Sequence, residues 1–72
     1  MSRAQIWGRR IRDRREELGV GQADLAALIG VNQSTLSRWE SGDRAPGHRQ
    51  IPRIAKALGV DPAAIFTYEE TP

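Results

Sequence analysis

Between Gln22 and Ser41 the chain reads QADLAALIGVNQSTLSRWES, two short apolar-periodic segments separated by three residues. The first puts Leu25, Ala26 and Ile29 on one helical face, with Asp24 in a first turn that favours acids. Gly30 stops it, because the left-handed backbone that ends many helices is easiest for glycine. Asn32 is a good N-cap for the second segment, about residues 33–40, whose inward residues are Leu36 and Trp39. A connection as short as Gly30-Val31-Asn32 makes two helices cross tightly. Ala26 is small where the second helix must approach, and Val31, Leu36 and Trp39 anchor it on the first.

The flanks also read as helices. Ser2 with Gln5 is a capping-box pattern opening a helix over about residues 3–18, with Trp7, Ile11 and Leu18 at helical spacing and Gly19 as its end. Gly8 lies inside that helix at about 1 kcal/mol relative to alanine. Ser41-Gly42-Asp43-Arg44-Ala45-Pro46-Gly47 is a loop. Ile51, Ile54, Ala55 and Leu58 follow the i, i+3, i+4, i+7 pattern of a fourth helix over 51–58, with Pro52 tolerated in its first turn and Gly59 after it. Asp61-Pro62 supplies a cap and first-turn proline for a fifth helix over 62–67. The expectation is an all-α, compact five-helix domain over residues 1–67 and a frayed C-terminal tail over 68–72. No strand, repeat or linker is visible.

At 72 residues this is one domain with a small core, so dimerisation or very regular packing should contribute to its stability. There are no cysteines, which excludes disulfides, thiolate zinc sites and cysteine nucleophiles. No apolar run approaches the roughly 18 residues of a membrane span, and no signal-peptide segment opens the chain. A cytoplasmic location is the expectation. Net charge is only +2, yet residues 1–15 carry Arg3, Arg9, Arg10, Arg12, Arg14 and Arg15 against Asp13 alone, while Asp61, Glu69 and Glu70 follow the last base, Lys56. This asymmetry fits a surface facing a polyanion, or a solvated arginine-rich helix face. Helical spacing spreads these arginines around the helix, and Arg10 and Arg14, one turn apart on a shared face, are the better phosphate candidates.

With Leu36 and Trp39 inward, the 33–40 helix turns Gln33, Ser34, Ser37 and Arg38 outward. The set is polar, rich in hydrogen-bond donors and free of acids. It suits base edges: glutamine pairs bidentately with adenine, arginine with guanine, and serine with several bases. A solvent face of this length more often mixes glutamate and lysine. Trp39 reads as a core anchor rather than a base-stacking residue. Trp7 reads as packing at the core edge, an exposed indole for a partner being the alternative.

On these residues the chain resembles the lambda-repressor/Cro-type helix-turn-helix family, also called the xenobiotic-response-element family. Gln22, Ala26, Gly30, Leu36, Trp39-Glu40 and Gly42 fall in register without a gap, and IPRIAKALGVDPAAIF looks like the family's fourth and fifth helices. The likeness runs from about Ile6 to Phe66. It implies that the helices at 22–29 and 33–40 form the helix-turn-helix, with Gln33 to Trp39 in the major groove and Gln33, Ser34, Ser37 and Arg38 as base readers. Gln22 would bond a phosphate with its side chain and the amides of its helix N-terminus. Asn32 and Thr35 join the phosphate set. Ser41, Arg44 and Arg49 would meet the backbone on the other side, with His48 as a loop residue near phosphate. The loop is shorter and less basic than in some relatives, with Asp43 and Ala45 inside it.

Arg15 sits on the apolar stripe of the first helix, where a charge needs a partner. Glu40, following Trp39, is the candidate, and family members pair an arginine with a glutamate at these positions. Two separately solvated side chains are the alternative. Of Ile65 and Phe66, one should fill the core. The other, with Tyr68, is a candidate dimer patch unless both serve the monomer core. Relatives dimerise through this end, which sets two recognition helices about 34–36 Å apart on successive grooves.

The expected function is that of a DNA-binding transcriptional regulator, a small repressor of the phage Cro or immunity-repressor kind, acting as a homodimer on a two-fold double-stranded operator. The second reading is an antitoxin-type subunit that binds a protein partner and represses its own operon. No nucleophile, carboxylate pair, metal cluster or phosphate-cradling loop is visible, so neither enzyme activity nor a cofactor, metal, membrane or small-molecule ligand is expected.

Overall fold

The computed structural model describes residues 2–67, which form four α-helices and one 3-10 turn: α1 Arg3–Glu17, α2 Gln22–Ile29, α3 Gln33–Ser41, α4 Gln50–Leu58 and the turn Pro62–Ala64. Five α-helices were expected. The segment after Asp61 is instead a single 3-10 turn. Asp61 caps it by accepting a hydrogen bond from the Ala63 amide at 2.8 Å, but Ile65 already leaves the helical path. Asp-Pro starts a helix well, but a single capped turn has not met the cost of nucleation, and here Ile65 and Phe66 are drawn inward instead.

Ser2 opens α1 with a complete capping box. Its hydroxyl accepts from the Gln5 amide at 3.2 Å, and its own amide donates to Gln5 Oε1 at 2.9 Å. α1 ends at Glu17, so Leu18 becomes the cap residue and is 43% exposed rather than part of the buried stripe. Asn32 caps α3, its Oδ1 accepting from the Thr35 amide at 2.8 Å. Gly30 at φ 91° ends α2 and lets the chain turn directly into that cap.

The core gathers Ile11 of α1, Leu25, Ala26 and Ile29 of α2, Leu36 and Trp39 of α3, Ile54 and Leu58 of α4, and Ile65. Val20, Val31, Ala57, Val60 and Phe66 close its edges. α3 lies against both α1 and α2, and α4 backs α2 from the other side. The Ala26 site is buried, as a close crossing of α2 and α3 requires.

Gly8 shows why glycine sits in mid-helix. A Cβ there would collide with the Trp39 carbonyl oxygen and lie 2.9 Å from that of Glu40. α1 therefore crosses the end of α3 backbone to backbone. One turn earlier Gln5 packs against Gly42, where a Cβ would lie 2.6 Å from Gln5 Cγ. These two contacts fix the angle at which α3 leaves the body of the domain.

Of the two candidates Ile65 is the one that fills the core, and a side chain enclosed by its own domain has no surface to offer a partner. Phe66 is half-buried, its ring edge-on to Trp7 at 5.1 Å and 85°. The Trp7 indole is buried, donates to the Thr67 carbonyl at 3.2 Å and is covered by the Arg3 guanidinium 5.0 Å from the ring centre. Tyr68 and the tail over 68–72 lie outside the described residues.

Candidate nucleic-acid interface

α3 is short and strongly two-sided. Leu36 and Trp39 are buried, whereas Gln33, Ser34, Ser37 and Arg38 are all exposed. The exposed set is contiguous across two turns and holds no carboxylate. The remaining outward positions near its start belong to the cap. Asn32 Oδ1 accepts from the Thr35 hydroxyl and the Ser34 hydroxyl, each at 2.8 Å, as well as from the Thr35 amide. Asn32 and Thr35 are thus committed first to holding the helix end, and Ser34 turns its oxygen lone pairs outward.

α2 is preceded by Gly21, which has no side chain to cap it, so the amides of its first turn lack a side-chain acceptor from that position. An anion is well placed there, since the unpaired amides and the helix dipole both favour negative charge. Gln22 stands at this end, half-buried, its Nε2 donating to Glu40 Oε1 and its Oε1 accepting from Gln33 Nε2, both at 3.3 Å.

Glu40 in turn is gripped by Arg15. Arg15 Nε donates to Oε2 at 2.7 Å and Nη2 donates to Oε1 at 2.8 Å, with side chains only 14% and 5% exposed for Arg15 and Glu40. Arg15 Nη1 also donates to the Val20 carbonyl at 3.1 Å. The hydrogen bond and charge of Glu40 raise the Arg15 pKa above its ordinary value, partly opposed by burial. The pair ties α1 to the end of α3.

Arg10, Arg14 and Arg12 stand in different surroundings. Arg10 Nη1 donates to the carbonyls of Ile65 at 2.9 Å and Thr67 at 3.1 Å, and Arg14 Nε donates to the Leu58 carbonyl at 3.0 Å. Arg10 thus holds the segment after the 3-10 turn, and Arg14 holds the end of α4. Arg12 instead shares a cleft with Arg15, Gln22, Glu40 and Ser41, beside the open end of α2. Its partner is an exposed Glu16 at 3.5 Å, a pair easily exchanged for another anion. Periodicity along α1 shows that Arg12 and Arg10 face different ways, but only the packing of the C-terminal segment shows which face is taken.

Beyond α3, the Ser41 hydroxyl donates to the Arg38 carbonyl at 3.1 Å, and the Asp43 and Arg44 amides bond the same carbonyl. Arg44, His48 and Arg49 are exposed around the loop before α4, whose buried point is Pro46. Among the described residues no group of three His, Asp or Glu side chains could hold a metal ion. No helix among them is long and apolar enough to cross a membrane.

A helix with an acid-free polar face, set on a second helix through a three-residue turn, defines a helix-turn-helix domain. Comparison with known proteins agrees: a helix-turn-helix family model matches residues 11–65, and the chain belongs to the lambda-repressor/Cro-type helix-turn-helix family. Repressor protein C2 of Salmonella phage P22 is 36% identical over 58 residues, 81% of this chain and 27% of that protein. The chain thus spans about a quarter of that relative's length. The solved structure of the P22 c2 repressor with a synthetic operator superposes with a TM-score of 0.83 at 32% identity, over 90% of this chain and 98% of that one. The restriction-modification controller protein C.AhdI of Aeromonas hydrophila gives 0.83 at 32% identity, over 88% of this chain and 96% of that one. The (S)-2-hydroxypropylphosphonic acid epoxidase of Streptomyces wedmorensis matches at 36% over 56 residues, only 28% of the enzyme. The matched unit is therefore a module found both in regulators and within a longer enzyme.

Proposed function

We propose that this domain binds double-stranded DNA in a sequence-specific way and acts as a transcriptional repressor. α3 lies in the major groove with Gln33, Ser34, Ser37 and Arg38 against base edges. The open end of α2, with Gln22 and Arg12, takes a phosphate on one side, and Ser41, Arg44 and Arg49 take phosphates on the other. The observation that carries the reading is the outward face of α3: four exposed polar side chains, no carboxylate, and a back face locked by Leu36 and Trp39. The kinship with a phage repressor solved on its operator supports it.

The domain acts as a dimer on a two-fold operator, as small phage repressors of the Cro kind do, with the contact formed around Phe66. Its place is the cytoplasm, on DNA. Selection of bound duplexes from a random pool tests the proposal. A two-fold motif is the expected outcome. A single half-site would remove the dimer, and no enrichment would favour a protein-binding role instead.

A further inference from the structure

Two large apolar side chains stand exposed among the described residues, Leu18 and Leu28. Leu18 is accounted for as the residue that ends α1. Leu28 lies in the last turn of α2, where nothing in the fold asks for a leucine: Leu25 and Ile29 fill the core, and Leu28 is 67% exposed.

A shallow cleft opens beside it between α2 and α4. It is lined by Leu28, Ile29 and Ala57 and by two cations, Arg53 and Lys56. Both cations are exposed, and among the described residues neither is in an ion pair. α4 carries no acid. The one acid of α2, Asp24, stands a turn before Leu28 and does not line the cleft. The cleft therefore joins an apolar anchor point to two positive charges, with no negative charge of its own.

A DNA backbone would suit the cations, but phosphate offers nothing to a leucine set between them. α2 and α4 also meet the proposed DNA surface near their N-terminal ends, at Gln22 and Arg49. Leu28 and Lys56 stand about 10 Å further along the two axes. A protein segment with an apolar side chain beside carboxylates meets both needs. Arg53 and Lys56 are neighbours on one side of α4, so their spacing matches carboxylates one turn apart on a partner helix. We infer that the cleft between α2 and α4 is a docking site for an acidic helical segment of another protein. Its apolar side chain rests on Leu28 and Ala57, and two of its carboxylates pair with Arg53 and Lys56. The site lies apart from α3 and does not depend on what α3 binds.

The probe is a synthetic helical peptide with Glu, Leu and Glu at positions i, i+3 and i+4, titrated into the isotope-labelled chain without DNA. Amide resonances around Leu28, Arg53, Lys56 and Ala57 should shift and saturate while those of α3 stay in place. Glutamine for both glutamates of the peptide should weaken binding by about tenfold, as should the chain variant carrying Arg53→Gln and Lys56→Gln. Leu28→Ser, which leaves the core intact, should weaken it by at least as much. No saturable shift, equal binding of the glutamine peptide, or unaltered binding by Leu28→Ser would overturn the inference. Two other occupants have their own signatures, and either would also overturn it. A salt slope of duplex binding that falls by about two units in the Arg53→Gln, Lys56→Gln variant would make the cleft a DNA surface. Self-association of the wild-type chain that Leu28→Ser abolishes, measured by sedimentation, would make it a contact between copies. Failure of the chain to select any duplex would remove the proposed DNA reading and leave the docking site standing.

Discussion

At Gly8 a methyl group would have to occupy the space of the Trp39 carbonyl oxygen. Helix propensity alone makes Gly8→Ala stabilising by about 1 kcal/mol. The crossing of α1 and α3 reverses the sign, and a loss of about 3 kcal/mol is expected in urea unfolding, since the clash is with backbone rather than a mobile side chain. Arg15→Ala leaves the Glu40 carboxylate buried without its main partner and should cost about 3 kcal/mol. Because Glu40 raises the folded-state pKa of Arg15, the pair's contribution is complete below arginine's ordinary pKa and fades only above it. The gap in melting temperature between wild type and Arg15→Ala should therefore stay constant from about pH 7 to about pH 9. On the face proposed to meet DNA, Arg38→Ala should cost about 1–3 kcal/mol and relax selectivity at one base position. Arg44→Ala should weaken all sequences equally and reduce the salt slope by about one unit. Binding titrations at several salt concentrations on matched and mismatched duplexes separate the two, and uniform loss in Arg38→Ala would deny it a base.

Among the elements, α3 is the least able to stand alone. Nine residues are too few for a stable isolated helix, so its shape depends on the cap at Asn32 and on the two buried anchors. Three hydrogen bonds converge on Asn32 Oδ1. Replacing Asn32 with alanine should cost about 1 kcal/mol of stability, by thermal melting. It should cost DNA affinity more than that, because Gln33 and Ser34 lie in the turn that loses its cap. Equal losses in the two measurements would mean that the start of α3 does not touch DNA. The turn after Asp61 is held from α1, through Arg10 on the Ile65 and Thr67 carbonyls and Trp7 on Phe66. The basic, amphipathic look of α1 thus has two origins: one face grips the C-terminal segment, and another borders the open end of α2.

For the whole molecule, 72 residues correspond to a net stability of about 4–11 kcal/mol. Leu36 is fully buried at the junction of α1, α2 and α3. Leu36→Ala should cost about 3 kcal/mol, a large part of that total, and lower the urea midpoint accordingly. Leu28 is 67% exposed beside Arg53 and Lys56 and contributes nothing to this core, so its replacement by a polar residue should leave the midpoint within about 0.5 kcal/mol of wild type.

The amino-acid sequence by itself determined the four helices, their caps and the tight turn at Gly30, because these depend on neighbours three or four residues away: Ser2 with Gln5, Asn32 with Thr35, Leu25 with Ile29. It also determined which side of α3 faces out, since Leu36 and Trp39 leave only one apolar side to bury. Tertiary structure decided what periodicity leaves open. It made Pro62–Ala64 a 3-10 turn, drew Ile65 into the core, and set Arg10 and Arg14 on backbone carbonyls while Arg12 stayed beside Gln22. It gave Gly8 its reason and linked Glu40 to Gln33 through a residue eleven positions earlier on another helix. Such contacts join residues far apart in the chain, and their partners exist only once the helices have packed.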